Sequence, residues 1–290
     1  MKWNNLRRSS NVEDLRSEAP LRGVGRSKGG LRLFLPVAQF LLKSKIGRII
    51  LVIGVVAYFL GFNPMTLLDS STTSSKLVSH TKNDDKTAEF VSVILGQTER
   101  VWHKKFTELG LKYIEPKLVL FRGSTKSGCG YANAQTGPFY CPNDQKVYLD
   151  LGFFDELRNQ FHSPGDFAEA YVIAHEIGHH VQNLLGTLKK SHSLKSNSSK
   201  KAANHIQVEI ELQADCYAGI WAHNLQNILE DGDIKEALNA ANAIGDDTLQ
   251  KQARGYVVPD SFTHGTSKQR MSWFMQGYKS GKLNACNTGI

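Results

Sequence analysis

His175, Glu176 and His179 form an H-E-x-x-H pattern within AYVIAHEIGHHVQNLLG, residues 170–186. On an α-helix, positions i and i+4 stack on one face, so both imidazoles can point at a single metal ion. Glu176, beside the first of them, can reach a water bound to that ion. Two imidazoles, a carboxylate base and an open coordination position are the arrangement of a zinc peptidase. The bland alternative is a core helix whose histidines merely find hydrogen-bond partners. His180 lies about 100° round the helix from His179, so it is expected behind the ligands, as a second layer of support or a structural group. Gly178 lowers helix propensity by roughly 1 kcal/mol relative to Ala, and its expected return is room for a neighbouring backbone near the metal.

A His-His zinc site needs a third protein ligand, and residues 205–226 read as a helix that can supply it. There E-L-Q-A-D places Glu211 and Asp215 one turn apart. Glu211 is the expected ligand, while Asp215 can accept the free N–H of a ligand histidine and fix its tautomer. Glu209 is the rival, about 200° round the helix from Glu211, so only one of the two can face the metal. The alanine beside Asp215 leaves space for close helix packing and favours Glu211. Both acids could instead be surface charges on an ordinary amphipathic helix. Farther along, His264 precedes a predicted helix and Arg270 lies on its second turn. His264 can hydrogen-bond a developing oxyanion and Arg270 can hold a carboxylate of the site, against surface or capping roles for each.

Several elements must position these groups. Ser163, Pro164 and Asp166 suit an N-cap, N1 and N3, and Gly186 a stop, so the H-E-x-x-H helix is well delimited. Residues 88–109 are patterned as an amphipathic helix. KLVLF (117–121) reads as a strand, and KVYLDLGFF (146–154) as a half-buried strand with Val147, Leu149 and Leu151 on its apolar face. The Gly- and Asn-rich stretch between them is expected to be a structured loop, and the Lys- and Ser-rich residues 187–204 a mobile one. Two short helices broken at Gly245 are predicted over 233–254. A helix, then strands, then the H-E-x-x-H helix suits an enzyme that lays an extended peptide along a sheet edge.

The formal charge of +8 is unevenly spread: residues 1–48 hold 11 Lys+Arg and 3 Asp+Glu, whereas residues 49–290 hold 24 of each. The basicity belongs to the N-terminal stretch, which argues against a nucleic-acid-binding domain. Residues 49–68 contain no charge and have about the length that spans a bilayer. Lys43, Lys45 and Arg48 precede them, so the positive-inside rule puts the tail in the cytosol and the remainder across the membrane. A buried core helix or a cleaved signal is the alternative. The expected organisation is a disordered basic cytosolic tail (1–45), a transmembrane helix (46–68), a flexible linker (69–87) and a metal-binding domain (88–290). All four cysteines follow that span. An oxidising compartment allows two disulfides, with Cys129–Cys141 across a short loop and Cys216–Cys286 the favoured pairing, which sequence alone does not fix.

With these residues in view, the chain resembles the YpfJ-like family of neutral zinc metallopeptidases, bacterial proteins with a short cytosolic segment and one membrane anchor. The resemblance runs nearly end to end. It rests on NVED, FVSVILGQTERVW, LVLFRG, CGYANAQTGPFYCPNDQKVYLDLGFFDEL, the H-E-x-x-H helix, ELQADCYAGIWA and HGTSKQRMSWFMQGY. A looser similarity links it to membrane zinc peptidases that process prenylated proteins, which combine H-E-x-x-H with E-x-x-A-D and a late H-P-x-x-x-x-R. That similarity implies Glu211 as third ligand and His264 near the oxyanion, although Gly265 stands where those relatives have proline and they are multi-spanning. Together the expectation is an α+β zincin-like metallopeptidase domain, mainly helical with a small sheet, preceded by one transmembrane helix. It would sit in a bacterial inner membrane with its catalytic domain periplasmic or extracellular. Zn²⁺ held by His175, His179 and Glu211 would activate water, Glu176 would act as base on a peptide or protein substrate, and His264 would assist. Asp215, Arg270 and His180 would support the ligands. The competing reading is a non-catalytic anchored zinc scaffold with a closed fourth ligand, His180 or Cys216.

Overall fold

A computed structural model describes residues 1–18, 82–133, 136–161 and 163–290. In chain order these form β1 (Val12–Asp14), α1 (Lys82–Glu108), β2 (Lys117–Phe121), β3 (Ser124–Ser127), β4 (Gly130–Asn133), β5 (Phe139–Cys141) and β6 (Lys146–Asp150). The helices α2 (Leu151–Asn159), α3 (Asp166–Leu184), α4 (Thr187–Ser196), α5 (Lys200–His223), α6 (Asp233–Ala243), α7 (Asp246–Arg254) and α8 (Ser267–Ser280) follow. The architecture is α+β and mainly helical. One sheet has the order β1-β2-β6-β5, with β1, β2 and β6 parallel and β5 antiparallel at the edge; β3 and β4 form a separate hairpin.

Alternation along the strands explains how the sheet packs. Leu118, Leu120, Val147 and Leu149 face the helices, while Val119, Phe121 and Tyr148 cluster on the opposite face with Ala132 of the hairpin and Cys141. The sheet is therefore covered on both sides, and β6 is not the half-buried strand that its polar alternation suggests. It also ends earlier than expected. The Asp150 carboxylate accepts the Gly152 N–H and caps α2, turning LGFF into helix.

Two sequence expectations change at the helices. The Lys- and Ser-rich residues 187–204, read as a mobile loop, fold into α4 and the first turn of α5, with the Ser199 hydroxyl accepting the Ala202 N–H as N-cap. The H-E-x-x-H helix α3 starts at Asp166, behind Gly165 at φ 123°, rather than behind Ser163. Its mate is α5: a Cβ on Gly178 would sit 3.1 Å from the Cα of Ala214. A still closer crossing joins α5 to α8, where a Cβ on Gly277 would lie 1.9 Å from the Cys216 carbonyl oxygen and one on Gly219 2.0 Å from that of Phe274. Only glycine admits such an approach.

The N-terminal stretch requires the main correction. Residues 1–18, expected as the start of a disordered cytosolic tail, belong to the same compact unit as residues 82–290. Met1 and Trp3 are buried in the main core, β1 pairs in register with β2, and buried Glu99 of α1 accepts hydrogen bonds from Ser9, Arg7 and Asn11. A single membrane crossing between the two stretches would separate partners that the fold joins. The expected span lies outside the described residues, and among the described residues no helix is long and apolar enough to cross a membrane. The anchored, N-terminus-inside topology and the inner-membrane localisation are therefore withdrawn. Both expected disulfides are present, Cys129–Cys141 and Cys216–Cys286, which is the chemistry of an oxidising compartment.

Candidate metal centre

His175 and His179 project from α3 toward α5, where Glu211 lies one turn before the Ala214 contact with Gly178. Glu211 Oε2 is 3.2 Å from His175 Nε2 and 3.4 Å from His179 Nε2. One donor atom from each residue lies within 4.8 Å of the other two. The edge of a tetrahedron with bonds near 2.0 Å is about 3.3 Å, so this nitrogen–nitrogen–oxygen set fits zinc. Among the described residues no fourth side chain joins it. Glu209, the rival acid, turns away and pairs with His205.

Each donor is aimed by a partner of its own. His175 Nδ1–H donates to Asp215 at 2.8 Å, which fixes Nε2 as the nitrogen that faces Glu211 and would be offered to a metal. Asp215 is fully buried and also accepts from the Tyr171 hydroxyl and from Arg270 Nε and Nη2. Burial works against its charge, but Arg270 and His175 hold its carboxyl down at about 2, so it remains an anion. His179 Nδ1–H donates to the Gln182 oxygen at 2.8 Å, and the Gln182 amide is locked by the Ile210 carbonyl and by Gln213. The second oxygen of Glu211 accepts from Gln207 at 2.7 Å. Burial pushes His175 toward neutrality, yet Asp215 and Glu211 outweigh it and raise the ring to about 10. His179 is raised by Glu211 against the same burial, while the histidines hold Glu211 well below the carboxylate range. The cluster thus demands positive charge at its centre, which a divalent cation supplies.

The histidines and Glu211 open onto a cleft of about 770 Å³, also lined by Glu176, His264 and Arg270. Glu176 is 8% exposed beside the ligands. His264 reaches the same cleft from the loop before α8, where the Asp246 carboxylate accepts the backbone N–H groups of Thr263, His264 and Gly265. Gly265 has φ 86°. Proline can neither adopt that angle nor donate that N–H, so the loop as folded requires a residue other than proline at this position.

The sequence of this chain matches the family described as "Putative neutral zinc metallopeptidase" over residues 1–289. The chain belongs to that family. Its relatives include the Escherichia coli (strain K12) "Uncharacterized protein YpfJ", 47% identical over 292 residues, which span 99% of this chain and 98% of that protein. The Mycobacterium tuberculosis (strain ATCC 25618 / H37Rv) "Uncharacterized protein Rv2575" is 45% identical over 189 residues, 61% of this chain and 63% of its own length. No solved structure matches. Membership in a zinc metallopeptidase family implies Zn²⁺ as the metal, in agreement with the donor chemistry.

Among the residues read from sequence, His175, His179, Glu211, Asp215 and Arg270 come together, with Glu176 and His264 on the same cleft. His180 does not join them. Its Nε2–H donates to the Ile114 carbonyl at 2.7 Å and its Nδ1 accepts from the Tyr140 hydroxyl at 3.1 Å, so it ties α3 to the sheet side. Burial lowers its pKa to about 4, keeping the ring neutral. Cys216, the other conceivable fourth ligand, is spent in a disulfide. Sequence reading missed Tyr171, Gln182 and Gln207, although each stands three or four residues from a partner on its own helix or from the ligand it supports. Asp246 left no comparable signal, because its targets lie 17 to 19 positions away.

Proposed function

We propose that this protein hydrolyses peptide bonds, with His175, His179 and Glu211 holding zinc and Glu176 acting as general base. The observation that supports it most is the convergence of three donors, and no fourth among the described residues, at the wall of an open cleft that also contains a carboxylate. Zinc bound there supplies a Lewis acid that polarises the carbonyl and brings the pKa of water toward about 7.

The protein's own groups do the rest. Glu176 takes the proton of the attacking water and returns it to the leaving amine. Asp215, locked by Arg270, keeps His175 in the tautomer that presents Nε2. The hydrogen bond to Asp246 raises the pKa of His264, with the Glu211 charge adding to it against burial, so His264 faces the cleft as a hydrogen-bond donor for an oxyanion. Edge strand β5 lines the cleft through Phe139 and Tyr140, and its outer edge suits pairing with an extended substrate segment.

Zinc-loaded protein should cleave an unstructured protein such as casein, with fragments read by mass spectrometry. Glu176→Gln should retain its zinc and lose at least about 100-fold in rate; equal activity rejects Glu176 as base. Glu211→Ala should lower the zinc content, and unchanged stoichiometry removes Glu211 from the ligand set.

A further inference from the structure

The walls of the cleft differ in chemistry from place to place. Phe153, Phe161, Ile244 and Leu249 supply apolar wall, with Glu156 of α2 among them. Beyond the metal cluster the wall is α4, whose Leu188, Ser191, His192 and Lys195 line the cleft at the i, i+3, i+4, i+7 spacing of a single helix face. Lys195 is the notable member. Its ammonium donates to the neutral amide oxygen of Gln207 at 2.6 Å, and among the described residues no carboxylate pairs with it.

Glu211 makes no direct ion pair with this cation. One of its oxygens faces the two histidines and the other accepts from Gln207, so Lys195 connects to the metal ligand only through that amide. Desolvation lowers the Lys195 pKa, and the charge of nearby Glu211 offsets part of that shift. His192, one turn earlier and exposed, adds a second nitrogen to the same wall. A half-buried ammonium with unused donors, two hydrogen bonds from the metal ligand, is suited to a carboxylate brought by the substrate.

We propose that Lys195 recognises a carboxylate of the bound peptide at the α4 wall of the cleft, so that substrates are peptides with an acidic group on that side of the scissile bond. This rests on the peptidase reading for the word substrate, while the recognition itself is a binding property. The carboxylate can come from an internal Asp or Glu side chain or from the C-terminus, and these sources imply endopeptidase and carboxypeptidase action respectively.

The test is fluorescence anisotropy with zinc-loaded Glu176→Gln protein and three labelled octapeptides of alanine around one phenylalanine. One carries an internal glutamate and an amidated end, one a free C-terminal carboxylate and no acidic side chain, and one is amidated and neutral. At least one acidic peptide should bind about tenfold or more tightly than the neutral one, the strength of a charge-assisted contact, and which one does so names the source. Lys195→Ala should bring that ratio to about one, Lys195→Glu below one, and Lys195→Arg should restore it. Equal binding of all three peptides, or a loss in Lys195→Ala that is the same for all three, overturns the inference; the latter would leave Lys195 as no more than a support for Gln207. A preference seen with protein whose wild-type form cleaves nothing upholds recognition and sinks the peptidase reading. Cleavage without preference does the reverse.

Discussion

Asp215 is the residue on which the site's order turns. It sits between a buried guanidinium and the inner nitrogen of His175, so one carboxylate neutralises Arg270 and orients a ligand. Asp215→Ala should lower zinc affinity about 10- to 100-fold. It should also destabilise the protein by about 3–5 kcal/mol, because Arg270 would keep its charge in the core without an anion. Metal titration and denaturant unfolding read the two effects separately, and unchanged stability would mean that Arg270 finds another partner. His180 makes an independent, pH-dependent contribution. Its pKa is about 4 in the fold and about 6.5 in an unfolded chain. The stability linked to its neutral ring is therefore complete above about pH 6.5 and is lost as the pH falls toward 4, amounting to about 2 kcal/mol by pH 5. Unfolding at pH 7.5 and pH 5 should show a smaller pH penalty in His180→Gln than in the wild type; an identical penalty would place the acid sensitivity elsewhere.

Between elements, the decisive event is the close packing of α5 against α3 on one side and α8 on the other. Gly178 lets α3 approach Ala214, which sets Glu211 opposite the histidines. The Gly219–Gly277 crossing sets α8 against α5, and the buried Arg270 consequently reaches Asp215. Gly277→Ala places a methyl group into the Cys216 carbonyl, and the helices must separate. The expected loss is about 3 kcal/mol or more, visible as a lower melting temperature together with weaker zinc binding. A variant that melts like the wild type would show that the crossing yields easily. The α4 segment adds a second lesson at this scale. Its Lys- and Ser-rich composition resembles a loop, but one face covers the cleft and the rest meets solvent, so only the packing reveals a helix.

For the molecule as a whole, residues 1–18 and 82–290 form one folded unit, and covalent links reinforce it. Cys286 fastens the C-terminal 3₁₀ turn (Leu283–Cys286) to α5 beside Asp215, closing a loop of 70 residues. The chain-entropy relation for that span gives about 4 kcal/mol of stabilisation. Cys129–Cys141 joins the β3–β4 connection to β5 at the cleft. Cys286→Ser, paired with Cys216→Ser so that no thiol is left, should lower the unfolding free energy by about that amount; no change would mean that helix packing alone holds the C-terminus.

The ligand helix, its two imidazoles, the adjacent base and the downstream E-L-Q-A-D pair were legible from sequence because each depends on spacing within one helix, where 3.6 residues per turn converts position into direction. The same geometry said that only one of Glu211 and Glu209 can face the histidines, while the choice of Glu211 rested on the alanine beside Asp215; in the structure Glu211 faces them and Glu209 turns to His205. What spacing could not determine were relations between distant segments: β1 docking on β2, Asp246 shaping the loop that presents His264, His180 turning toward Tyr140, and Lys195 facing the cleft. A charge profile likewise described residues 1–18 as a free tail, since burial of Met1 and Trp3 and capture by Glu99 require partners 80 or more positions away. Local chemistry is encoded locally, whereas which groups meet across the core is decided only when glycines and small side chains let particular helices approach.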